Sequence, residues 1–105
     1  MNVYAYRFQP TRLEILTQGP TAEEVPVIAE HWSHLTALAD RGVLVLAGRT
    51  RVTDARAFAI VVFRAESDDA ARAVMEGDPA VRAGVMRAEL FPFEVLLAEA
   101  ASAGR

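Results

Sequence analysis

Val43-Leu44-Val45-Leu46-Ala47-Gly48 and Ala57-Phe58-Ala59-Ile60-Val61-Val62-Phe63 are two unbroken apolar runs, and Arg49 to Arg56 between them is polar. Apolar runs of this length that are rich in Val, Ile and Phe and joined by a short polar turn predict a β-hairpin with strands buried on both faces. In a small α/β domain helices cover one face of such a sheet, so the other face needs a second cover.

Outward from the hairpin the chain is nearly symmetric. On its N-terminal side, Val3 to Phe8 alternates, with Tyr4, Tyr6 and Phe8 on one face and Val3, Ala5 and Arg7 on the other, which predicts a strand. Gln9 to Thr21 is a polar connection with Pro10, Gly19, Pro20 and an apolar patch, Leu13 to Leu16. Thr21 then caps a helix with Glu23 and Glu24 in its first turn, and Gly42 stops it. On the C-terminal side Ser67 caps a second helix over Asp68 and Asp69, with Ala70, Ala71 and Val74 inward and Gly77 as its stop. Asp78-Pro79 restarts a short turn, with Asp as cap and Pro as first helical residue. Val85 or Met86 leads into a last strand running to Leu97, and Pro92 places that strand at a sheet edge.

The order strand, helix, strand, strand, helix, strand predicts an α+β ferredoxin-like βαββαβ sandwich with a four-stranded antiparallel sheet and both helices on one face. The apolar second face predicts a homodimer through sheet-to-sheet packing. At 105 residues the chain supports one domain, assigned to residues 1–98, followed by a small-residue tail at 99–105 that is expected to fray.

Composition narrows the chemistry. The chain has no cysteine and no lysine, its net charge is −3, and its hydrophobic content is 52%. Thiol catalysis, disulfides, Schiff-base formation on lysine and P-loop phosphate binding are therefore excluded. No basic run argues for nucleic acid, and no apolar run approaches a membrane span. With no leader pattern at the N-terminus the expectation is a cytoplasmic protein. Two histidines alone make a poor metal or haem site, so no metal and no cofactor are expected.

Both histidines lie on the first helix. At about 100° per residue, Val27, Leu38, His31, Leu35, Ile28, Ala39 and Trp32 share one arc about 140° wide. His31 thus sits in the apolar stripe. It is a buried neutral imidazole satisfied by a carbonyl, a ring half exposed at the helix edge, or a general acid or base. In the last case His31→Ala lowers activity and leaves the melting temperature nearly unchanged. His34 falls at the margin of the stripe, where it faces water or lines a pocket. Asp40 lies about 180° from His31, which rejects it as a partner. Asp78 is a helix cap that can also turn one oxygen toward a histidine. Arg49 and Arg51 end the second strand, solvated or holding an anionic substrate, and Trp32 reads as a core or dimer contact.

Three stretches in order resemble the YciI-like (YCII-related) proteins: His31 through Leu38 to Gly42 with Leu44 to Gly48, then Asp78-Pro79 with Val81 to Val85, then Leu90-Phe91-Pro92-Phe93. The resemblance covers roughly residues 25 to 95. It implies a dimeric α+β barrel related in fold to muconolactone isomerases, and a His–Asp catalytic dyad that falls on His31 and Asp78. Ala80 stands where many relatives carry an aromatic, implying a more open pocket wall, and Gly48-Arg49 stands where many carry Gly-Pro. Two functions follow as alternatives. One is a cofactor-free lyase- or isomerase-like enzyme acting on a small molecule, with His34 and Arg49 as substrate-binding residues. The other is a non-catalytic module that binds a small ligand or regulates.

Overall fold

The computed structural model describes residues 1–98. The expected tail at 99–105 lies outside the described residues. The elements run β1 (Asn2–Pro10), α1 (Glu14–Gln18), α2 (Glu24–Asp40), β2 (Leu44–Arg49), β3 (Ala59–Ala65), α3 (Asp68–Glu76), α4 (Pro79–Arg82) and β4 (Met86–Pro92). The sheet order is β2-β3-β1-β4 with every neighbouring pair antiparallel. This is the ferredoxin-like α+β arrangement.

The alternation in β1 sets the layers. Tyr4, Tyr6 and Phe8 turn to one face and join Leu35, Leu38, Val61, Phe63, Ala71 and Met75 in the core. Tyr6 and Phe63 are fully buried and meet edge to face at 5.9 Å. The two tyrosines also tie the helical layer to the sheet. Tyr4 donates to Asp68 at the start of α3 (2.7 Å), and Tyr6 donates to Asp78, the cap of α4 (2.8 Å). A buried tyrosine needs a partner for its hydroxyl, and each finds it in an aspartate at a helix start.

Helix boundaries follow the capping residues. Thr21 and Glu24 form a reciprocal capping box, with each backbone N–H bonded to the other's side chain (Thr21 N–H to Glu24 at 2.9 Å, Glu24 N–H to Thr21 at 3.2 Å). Gly42 ends the segment at φ +74°, in the left-handed region that glycine occupies without strain. Ser67 Oγ accepts the Ala70 N–H, and Asp78 Oδ1 accepts the Ala80 N–H ahead of Pro79.

Four expectations change. The connection after β1 is partly regular: the Leu13 to Leu16 patch lies at α1, but Leu13 remains 39% exposed. An ion pair between Arg12 and Glu24 pins that connection instead. Of the hairpin strands only β3 is buried on both faces, because β2 is a sheet edge and is exposed from Leu46 to Arg49. The last strand stops at Pro92 rather than Leu97. Pro92 pairs with Tyr4, and the ladder then closes with one bond from the Phe93 N–H to the Val3 carbonyl (3.0 Å). The apolar arc of α2 is also narrower than expected. His31, Leu35 and Leu38 are buried, while Ala39 and Trp32 are exposed.

The face of the sheet away from the helices carries Ala5, Leu46, Ile60, Val62 and Phe91, with Arg7 and Glu89 paired beside them at 3.1 Å. Leu46 is 51% and Phe91 43% exposed there. No helix among the described residues is long and apolar enough to cross a membrane.

Candidate active site around His31 and Asp78

His31 reaches the interior because it occupies a stripe position two turns into α2. Asp78 reaches the same point from the other end of the chain. Gly77 closes α3 so tightly that a Cβ there would stand 2.9 Å from the Ala73 carbonyl, and the next residue is the α4 cap. The capping duty fixes the Asp78 carboxylate in place, and it is fully buried.

The ring and the carboxylate meet. His31 Nδ1 lies 2.8 Å from Oδ1 and 2.9 Å from Oδ2 of Asp78. The same carboxylate accepts the Tyr6 hydroxyl on Oδ2 and the Ala80 N–H on Oδ1. Burial pushes the Asp78 carboxyl up; the bond and charge of His31, then the Tyr6 and Ala80 bonds, outweigh it and hold the group below the ordinary aspartate value. Asp78 is therefore an anion and an acceptor only, which puts the proton between the pair on Nδ1. Burial and then the Asp78 charge drive the Tyr6 phenol upward, so its hydroxyl stays protonated and donates.

The second ring nitrogen, Nε2, has no partner among the described residues. His31 as a whole is 6% exposed. Aromatic edges flank the ring: Phe8 at 5.4 Å and Trp32 at 5.7 Å. Trp32 is 56% exposed, so it forms the outer rim of the site and not a core contact. Two open clefts lie elsewhere among the described residues. One of about 350 Å³ borders Tyr4, Asp68 and Phe93, and one of about 170 Å³ borders Arg7, Arg87 and Glu89.

The remaining sequence candidates separate. His34 Nε2 bonds the Val74 carbonyl at 3.1 Å, tying α2 to the last turn of α3. Arg49 pairs with Ala59, which pairs with Phe8. Cross-strand partners project to one face, so Arg49 lies on the helix-covered face two strands from Phe8, roughly 10 Å away at the usual strand spacing. Asp40 is exposed at the end of α2 and plays no part. Ala80 is 1% exposed, so its small side chain opens no pocket wall at its own position. Among the described residues no three His, Cys, Asp or Glu side chains gather as a metal cluster would. Tyr6 is the residue that sequence reasoning passed over. Its signal was present: a tyrosine on the core face of a strand, whose hydroxyl demands a buried partner.

The fold and this pair fit one class, a compact α+β domain carrying a buried His–Asp couple under its first long helix. The chain belongs to the YCII-related domain family, whose model matches residues 7–94. No curated protein matches it. Among solved structures it is similar to 5-chloro-2-hydroxyhydroquinone dehydrochlorinase (TftG) from Burkholderia phenoliruptrix AC1100 in complex with 2,5-dihydroxybenzoquinone. The identity is 19%, the match covers 87% of this chain and 93% of that one, and the TM-score is 0.60. A looser likeness, TM-score 0.43 and 22% identity over 94% of this chain and 98% of that one, is to a mutant of MhuD with two manganese protoporphyrin IX bound per active site.

Proposed function

We propose that the protein is a small cofactor-free enzyme that performs acid–base chemistry of the lyase or isomerase kind on a small, flat molecule. The observation that carries this reading is the division of labour on one ring: Nδ1 is held by a buried carboxylate, and Nε2 has no partner among the described residues. In this reading Nε2 takes a proton from an acidic O–H or C–H of the substrate. Asp78 keeps the ring in the tautomer that leaves Nε2 basic and stabilises the imidazolium that forms. The proton then returns at another atom of the substrate, or a leaving group departs with its bonding pair. Neither outcome needs an oxidant or reductant.

Phe8 and Trp32 beside the His31 ring suit a planar substrate, and Arg49 on the same face as Phe8 is our choice for an anionic substituent. With its Nε2 bound to Val74, His34 is assigned to holding α3 and not to substrate. The structurally similar dehydrochlorinase suggests where to begin, with halogenated hydroquinones and hydroxyquinones. The test is a turnover assay on that panel with the wild type, His31→Gln and Asp78→Asn. Turnover that falls about 10²–10⁴-fold in both variants supports the reading. Saturable binding of a panel member with no turnover by any form identifies a non-catalytic binding module instead.

We further propose that two copies pack through the open sheet face. Leu46 and Phe91 are exposed there, and Ile60 beside them is half-buried. The Arg7–Glu89 pair offers opposite charges that a twofold axis can exchange between copies.

A further inference from the structure

We propose that Tyr6 is a positioning residue for this site: through the shared carboxylate of Asp78 it sets how firmly His31 holds the proton on Nδ1. This rests on the reading of His31 as the acid–base group.

One carboxylate has only two oxygens to share among its donors. Asp78 Oδ2 lies 2.8 Å from the Tyr6 hydroxyl and 2.9 Å from His31 Nδ1, so two donors draw on one oxygen. Oδ1 is shared in the same way between His31 and the Ala80 N–H. Each donor withdraws charge from the acceptor, so each weakens the bonds that the others make. Tyr6 therefore restrains the Asp78–His31 bond as well as anchoring its acceptor. A ring held less tightly returns its protons more readily, which a group that must both take and give a proton requires.

Tyr6 is built for a fixed position. It lies in the middle of β1, pairs with Val61 and Leu90, stacks on Phe8 at 5.8 Å and meets Phe63 edge-on. Its hydroxyl cannot turn away without unpacking the core. The other groups around the ring do not compete for this role. Phe8 and Trp32 are uncharged, His34 is turned to the α3 carbonyl of Val74, and Arg49 stands on the edge strand. Tyr4 provides an internal control. It lies on the same strand and face, and its hydroxyl makes the same kind of bond, but to Asp68.

The experiment is NMR of protein labelled with ¹⁵N-histidine, reading the His31 Nδ1–H proton resonance. In Tyr6→Phe the carboxylate loses a donor, and its bond to Nδ1–H shortens and strengthens. The resonance moves downfield, and Tyr4→Phe leaves it in place. An unmoved resonance in a folded Tyr6→Phe, or an equal movement in Tyr4→Phe, overturns the proposal. If Tyr6→Phe does not fold, 3-fluorotyrosine placed at position 6 keeps the packing and donates more strongly, so the resonance moves upfield; no movement there overturns the proposal too. The acid–base reading fails separately, if His31→Gln turns over substrate as the wild type does.

Discussion

Asp78 receives the His31 Nδ1 at 2.8 Å from a position 47 residues further along the chain, and the same side chain caps α4. One carboxylate thus carries a structural bond and a chemical one. The cap fixes where the oxygen atoms sit, and the imidazole is aligned to them.

Asp78→Asn separates the two duties. The amide oxygen can still cap Ala80, but the amide N–H₂ now faces the ring as a donor and favours the tautomer in which Nδ1 accepts. Nε2 then carries the proton and is no longer a base. Activity is expected to fall about 10²–10⁴-fold with a modest change in melting temperature, measured by turnover and thermal denaturation on the same preparation.

His31→Ala behaves differently from what the apolar stripe alone implies. Removing the ring leaves a fully buried carboxylate short of its main partner and opens a void beside Phe8. Loss of one partner of a buried charged pair costs about 2–4 kcal/mol. The melting temperature should drop by about 10 °C or more in a chain of this size. An unchanged melting temperature would mean that the Asp78 carboxylate is not held as described.

Acid stability should depend on Arg12. Its bond to Glu24, helped by the Thr21 N–H, holds that carboxyl down to about 2 from an ordinary value of 4.5. A carboxyl depressed in the folded state stabilises the fold above its unfolded value, and that contribution fades as pH falls toward the folded one. The wild type is expected to lose stability between about pH 4.5 and 2, and Arg12→Ala to lose less over the same interval. Melting curves across that range check the difference in slope.

The open sheet face is tested by charge. Leu46→Asp and Phe91→Asp introduce carboxylates at exposed apolar positions of two different strands. Light scattering at micromolar concentration should give the mass of a dimer for the wild type and of a monomer for the double variant. A monomeric wild type would remove the proposed pairing.

The legibility of the chain followed the kind of signal each feature leaves. Element order and the edge placement of β4 were readable because the Tyr4-Tyr6-Phe8 alternation, the Ser67 and Asp78 caps, Gly42 and Pro92 each act locally. The exposure of β2 was not, since an apolar run cannot say whether it will be central or an edge. Leu46 ended up outside because β3 took the inner place. The end of β4 also escaped, because its length depends on where β1 stops offering partners. At the site, periodicity placed His31 inward and rejected Asp40, and the family resemblance pointed to Asp78. Tyr6 was missed because its hydroxyl bond spans 72 residues and no local pattern announces it.

The most direct test of the central claim is the tautomer of His31, read from the ¹⁵N shifts and proton couplings of its two ring nitrogens in the neutral form. A proton on Nδ1, coupled to Asp78, with a bare Nε2 is the predicted result. A neutral ring protonated on Nε2 would contradict the account, because the nitrogen open to substrate would then hold no lone pair for a proton.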